Sequence, residues 1–172
     1  MAFLWTGKPE YRRAGEGFLE FAHLYTHPRR GSYVELHGSF SHRGAVPFMT
    51  GYLGYGLIRY HQATGDEKAA RLLVALAESV VSETGDGNGG FWYSPNPTHR
   101  MWGSPQWSAL VGGMLAYSYR LTGDPWFAQQ AKLCYDRIVS SGGPSLDMAP
   151  LMGEMVSGIE AAMSRGDLNR KG

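Results

Sequence analysis

A tripeptide turn recurs along this chain at equal spacing: Thr6-Gly7-Lys8, Thr64-Gly65-Asp66 and Thr122-Gly123-Asp124 define two intervals of 58 residues. Self-similarity at a fixed period constrains a fold more than any local propensity, because each unit has to stack on its neighbours in the same way. The register extends well past the turn. At an offset of 58, Pro47 pairs with Pro105, Gly54 with Gly112, Leu57 with Leu115 and Ala70 with Ala128; Val81-Ser82 pairs with Val139-Ser140, and Gly85 with Gly143. Across two periods Pro9 pairs with Pro125, and an aromatic follows two residues later in both, Tyr11 and Phe127. Tetratricopeptide and ankyrin units are far shorter, roughly 33–34 residues. A period of 58 fits a helical hairpin with a long loop.

Apolar spacing predicts helices over 47–63 and 67–84, and again over 105–121 and 125–141, each pair joined by the short turn. Leu53, Tyr55, Leu57, Ile58 and Tyr60 leave the first of these apolar around most of its circumference, as in a helix covered on more than one side. Its glycines lower helix propensity and call for close helix packing in return. The second carries Ala69, Leu72, Leu73, Leu76 and Val80 as one stripe, with Glu67, Lys68, Arg71 and Glu78 largely elsewhere. That is an amphipathic outer helix, repeated by Phe127, Ala131, Cys134, Tyr135 and Ile138. Residues 9–25 read as the second helix of a hairpin, with Tyr11, Ala14, Phe18, Phe21 or Ala22 and Tyr25 at helical spacing, so 1–25 is an incomplete unit. A terminal helix is expected over 149–163, and Ser32–Leu36 is a candidate short strand. The expected class is all-α: a single domain over 1–172, made of about three units of repeated antiparallel helical hairpins, with the complete ones at 47–84 and 105–141.

Charge is nearly balanced, 16 basic residues against 15 acidic, with no basic face for nucleic acid and no charged tail. The single cysteine, Cys134, excludes an intrachain disulfide framework, and its place on an apolar stripe makes it a core residue. No apolar run reaches the roughly 18 residues of a membrane span. The first residues lack the charged start of a signal peptide; this does not set a location, since the amino end reads as cut.

In stacked antiparallel hairpins all the short turns lie at one end and all the long loops at the other. The loops 27–46, 85–104 and 141–150 therefore share an end, where their residues can converge. Candidate catalytic residues there are His37, His42, Arg43, Tyr93, His99 and Arg100, with Trp92, Trp102 and Glu35 as substrate-binding candidates. Each also has a plainer reading. His37 and His42 fit ordinary polar loop positions, and no HxH or HxxxH spacing supports a metal pair. Arg43 and Arg100 suit bidentate carboxylate binding or salt bridges to Glu35 and Asp86. Trp92, Tyr93 and Trp102 suit stacking on sugar rings or capping the core. Asp66 and Asp124 sit where helix N-caps belong. The glycines of 85–90 make no phosphate loop, because neither the Lys-Ser/Thr pair nor a preceding strand is present. No metal or other cofactor is called for.

Phe48–Val81 and Trp107–Val139, with GLIRYHQATGDEKAARLL and GMLAYSYRLTGDPWFAQQAK, resemble the six-hairpin α/α toroid superfamily of carbohydrate-active enzymes, which includes glycoside hydrolases and toroid polysaccharide lyases. The resemblance implies inner and outer rings of helices and a sugar-binding cleft at the long-loop end. The chain departs from that pattern by holding about three units and beginning mid-hairpin, and no family catalytic motif carries over. A hydrolase needs two carboxylates across the glycosidic bond, and the loops offer only Glu35, Asp86 and Asp147. They are richer in what β-elimination from a uronate uses, a base and cations for the developing enolate. The expected activity is lyase-type degradation of an acidic polysaccharide; a glycoside hydrolase and a non-catalytic hairpin scaffold are the alternatives. A three-unit arc leaves two open seams, so a missing toroid half, a further domain or self-association is expected.

Overall fold

The computed structural model describes residues 6–24, 46–93, 103–143 and 149–168, and the side chains within them except those of 149–151. Six helices account for nearly all of it: α1 (Pro9–Leu24), α2 (Pro47–Thr64), α3 (Glu67–Thr84), α4 (Pro105–Thr122), α5 (Pro125–Ser140) and α6 (Ala149–Arg165). Among the described residues there is no strand, only an isolated bridge between Gly85 and Phe91. The class is all-α. The expected strand at Ser32–Leu36 lies outside the described residues.

The recurring tripeptide is a stop-and-restart device. Thr64 and Thr122 donate their hydroxyls back to the carbonyls of Tyr60 and Ser118, at 2.8 and 2.9 Å. The same hydroxyls accept the N–H of Asp66 and Asp124, both at 3.2 Å. Gly65 and Gly123 lie between them at φ +68° and +73°, in the left-handed region where a side chain is strained, and they close the preceding helix. Each aspartate then caps the next helix: Asp66 Oδ1 accepts from Lys68 N and Ala69 N, and Asp124 Oδ1 accepts from Trp126 N. The first copy keeps part of the device, with Gly7 at φ +65° and Lys8 N–H on Thr6 Oγ1 at 3.3 Å. Removing the caps, Asp66→Ala and Asp124→Ala, is expected to cost about 1 kcal/mol each. Urea midpoints would show it, and unchanged midpoints in both variants would refute the capping role.

Helices α2 and α4 run parallel. Phe48 and Trp107 meet near their starts, with ring centroids 5.7 Å apart, and His61 meets Tyr117 near their ends at 2.9 Å. Both Thr-Gly-Asp turns therefore lie at one end. Helix α6 joins α4 in the same sense, since Met155 packs at Gly112, Gly158 at Ala116, and Asp167 beyond α6 reaches Tyr119. One packing device is used twice: Met114 of α4 fills the space above Gly54 of α2, and Met155 of α6 fills the space above Gly112 of α4. A Cβ on either glycine would collide with the methionine sulfur. The helix at 149–165 is thus a third copy of the α2 and α4 position, 41 residues after α4 by the methionines, because the loop before it is short.

The result is two layers. In one, α4 lies between α2 and α6; in the other, α3 packs against α2 and α4, and α5 against α4 and α6. Central α4 is buried from Ser108 to Tyr119, whereas α3 and α5 bury one stripe each, as their amphipathic patterns require. Cys134 is in that core at 1 % exposure, and burial pushes its thiol far up, so it is a packing residue with no thiolate character. Helix α1 is different. Leu19 and Ala22 are buried and Gly15 lies under the Tyr60 ring, but Tyr11 and Phe18 of its expected apolar stripe are half-exposed.

Fully buried Tyr119 donates its hydroxyl to Asp167 Oδ2 at 2.6 Å, tying the end of the chain to α4. Burial, then the hydrogen bond and charge of Asp167, raise its pKa above the ordinary 10.0. A raised pKa means that the folded state holds the proton more tightly. The associated stability is complete below about pH 10 and disappears as pH rises through the folded value. Tyr119→Phe is expected to lose about 1.5–3 kcal/mol at neutral pH, the worth of a hydrogen bond to a charged group. It should also lose stability less steeply than the parent above pH 10. Denaturant titrations at neutral and alkaline pH test this, and parallel pH profiles would count against it.

Candidate functional site

The outer helices return the chain to the end where α2 and α4 begin, opposite the Thr-Gly-Asp turns. There the segment after α3 is held by its own backbone. Asp86 Oδ1 accepts the N–H groups of Asn88 and Gly90, at 2.8 and 2.9 Å, and Asp86 N–H donates to the Gly90 carbonyl. Gly87 and Gly89 have φ of +82° and +75°, as this tight reversal demands. Gly89 presses on the α5 backbone at Leu133 and Cys134, and its carbonyl accepts the buried Ser108 hydroxyl at 2.7 Å. The loop is therefore pinned between α4 and α5.

That anchorage sets the direction of the next three residues. Phe91 is buried in the core, its carbonyl accepting Gly103 N–H, while Trp92 N–H donates to Thr84. Tyr93 then lies against two rings at once, 6.2 Å from Phe48 and 5.7 Å from Trp107 between centroids. With Phe48 and Trp107 also 5.7 Å apart, the three rings form one cluster over the starts of α2 and α4. All three, and Trp92, are partly exposed. Partly exposed, tilted rings offer an apolar surface, and Tyr93 adds a hydroxyl to it.

Of the candidates read from the sequence, Trp92 and Tyr93 are thereby placed at the long-loop end. Glu35, His37, His42, Arg43, His99, Arg100 and Trp102 lie outside the described residues. Asp86, one of the three loop carboxylates, is engaged by its own loop rather than held toward solvent chemistry.

A second polar group, not anticipated from the sequence, joins the three parallel helices toward the turn end. Arg120 Nη1 meets Glu154 Oε2 at 3.2 Å, and Gln62 Nε2 donates to Glu154 Oε1 at 2.8 Å. Arg59 donates to Gln62 at 3.0 Å and lies over the Tyr55 ring, Arg120 lies over the Tyr117 ring, and His61 Nδ1 is 2.9 Å from the Tyr117 hydroxyl. Burial raises the pKa of Tyr117. Spacings within single helices hint at parts of this group, such as Tyr117 with Arg120, but Glu154 is brought in only by the packing of α6. Because Glu154 is matched by an arginine and an amide, the group reads as a tie between helices.

No set of three or more potential metal ligands occurs among the described residues. No described helix is long and apolar enough to cross a membrane. Comparison with known proteins returns no matching family model, no similar curated protein and no similar solved structure.

Proposed function

We propose that this protein is a carbohydrate-active module in which α2, α4 and α6 form part of the inner ring of an α/α toroid, with α1, α3 and α5 outside. The observation that carries this reading is the partly exposed cluster of Phe48, Tyr93 and Trp107 at the long-loop end, where an aromatic floor suits the apolar face of a sugar ring. On this reading the substrate is an acidic polysaccharide and the reaction β-elimination. His42, His37, His99 or Tyr93 takes the proton beside the uronate carboxylate, and Arg43 and Arg100 offset the charge that develops. Trp92, Trp102 and Glu35 contact the rest of the chain of sugars. The engagement of Asp86 with its own backbone weighs against a hydrolytic carboxylate pair, leaving Glu35 and Asp147 as the loop carboxylates for one.

The chemistry is tested with a panel of uronate-containing polysaccharides. Elimination creates a carbon–carbon double bond that absorbs in the ultraviolet, whereas hydrolysis releases reducing ends without that absorbance. Release of reducing ends alone would replace the lyase by a hydrolase. Sugar binding that quenches tryptophan fluorescence, with no product of either kind, would make the module a binding scaffold.

A further inference from the structure

The loop that seats Tyr93 contains two dipeptides whose side chain and backbone can react with each other. Asp86-Gly87 and Asn88-Gly89 are the places in this sequence where an aspartate or an asparagine is followed by glycine. With no side chain on the glycine to obstruct the approach, its backbone nitrogen can attack the side-chain carbonyl carbon before it and close a five-membered succinimide ring. The other two asparagines are poorly placed for this chemistry. Asn96 precedes Pro97, which has no N–H, and Asn169 precedes the long side chain of Arg170.

The structure separates the two dipeptides. The Asp86 carboxylate is turned into its own loop, where Oδ1 accepts the N–H groups of Asn88 and Gly90 at 2.8 and 2.9 Å. A carboxylate also resists attack by a nucleophile. Asn88 is the opposite case: it is exposed, and its side-chain amide enters no hydrogen bond among the described residues. The N–H of Gly89, the attacking group, donates to nothing among the described residues either. Neither reacting group is held by a hydrogen bond that would have to break first.

We propose that Asn88 is a site of spontaneous backbone modification, at which the loop converts itself to an altered, looser form. A bond forms between Gly89 N and Asn88 Cγ as the Cγ–Nδ2 bond breaks, and ammonia leaves with the proton from Gly89 N–H. Water then opens the ring at one of its two carbonyls, giving aspartate or isoaspartate. Both products add a negative charge close to Asp86, but isoaspartate also routes the chain through Cβ and lengthens it by one methylene.

That extra carbon falls where the loop length matters. On one side Asn88 N–H is fixed to Asp86. On the other, Gly89 presses on the α5 backbone at Leu133 and Cys134, and its carbonyl accepts the buried Ser108 hydroxyl at 2.7 Å. The present spacing satisfies both anchors together, and they aim the next residues so that Tyr93 meets Phe48 and Trp107. Isoaspartate formation therefore loosens the aromatic cluster from beneath. The chemistry is independent of the sugar-binding reading, and its test reads no activity.

The intact, folded chain is kept in warm, mildly alkaline buffer beside a sample unfolded in urea. Peptide mapping with fragmentation between residues 86 and 89 locates the change, and labelling by an isoaspartyl methyltransferase identifies isoaspartate. Folded protein should accumulate isoaspartate at Asn88 and not at Asp86, and its near-ultraviolet dichroism should weaken in step. Asn88→Gln, which would have to close a larger ring, should keep both mass and dichroism constant. Freshly prepared Asn88→Asp supplies the charge without the extra methylene and should start with the parent's dichroism. Conversion only in the unfolded sample, isoaspartate at Asp86 instead, or full dichroism in the converted folded protein would overturn the proposal. So would an equal decay of the signal in Asn88→Gln.

Discussion

Gly89→Ala is expected to lose about 2–5 kcal/mol of stability, combining the left-handed backbone cost of roughly 1–2 kcal/mol with about 1–3 kcal/mol for forcing a methyl into filled space. The new Cβ would run into the Leu133 carbonyl and lie 2.6 Å from Cys134 N, both backbone atoms that no rotamer change can move aside. Gly87 is the internal control. Its φ of +82° resembles the +75° of Gly89, but a Cβ there meets nothing within 4 Å among the described residues. Gly87→Ala should therefore show the conformational cost alone, about 1–2 kcal/mol. The larger loss should be accompanied by a weaker near-ultraviolet dichroism signal, because the loop carrying Tyr93 onto Phe48 and Trp107 is anchored at Gly89. Urea titrations of both variants decide the matter. Equal losses would show that the contact with α5 is not what holds this loop.

His42→Ala should reduce eliminase activity by about 10²–10⁴-fold, the usual worth of a positioned general base, with the helix content unchanged. The expectation depends on the proposed lyase reaction and on the shared end of the long loops. Arg43→Ala and Arg100→Ala should damage both binding and turnover of acidic oligosaccharides, since each would remove a cation that offsets the uronate and its enolate. His61→Ala separates the two ends of the molecule. His61 pairs with Tyr117 beside the Thr-Gly-Asp turns, so its loss should leave turnover intact. Full activity in His42→Ala would exclude His42 as the base, leaving His37, His99 or Tyr93, and a greater loss in His61→Ala would move the chemistry to the other end. Each variant is compared with the parent in the same preparation, because an incomplete cleft would depress every variant alike.

Much of the architecture was legible because it rests on local chemistry. Thr64-Gly65-Asp66 contains its own helix stop, left-handed residue and next cap, so its recurrence 58 residues later announces a second hairpin. Stripes such as Leu72, Leu73, Leu76 and Val80 reveal a one-faced helix for the same reason. The site was legible only as a set of residue types on shared loops. Nothing in the spacing of Phe48, Tyr93 and Trp107 announces that they form one cluster, because their meeting depends on the pinning of Asp86–Gly90 between α4 and α5.

Helix α6 shows the same division most clearly. Its apolar pattern predicts a helix from the sequence alone, but its loop is shorter than the preceding one, which destroys the 58-residue register by which its role would be recognised. The packing of Met155 above Gly112, matching Met114 above Gly54, restores the correspondence. The sequence by itself determined the helices and the turns between them, since hydrogen-bond capping and amphipathicity act within a few residues. Only the tertiary structure decided which helices share a layer, which aromatic rings meet, and which faces remain open, because those depend on side chains far apart in the chain filling one another's space.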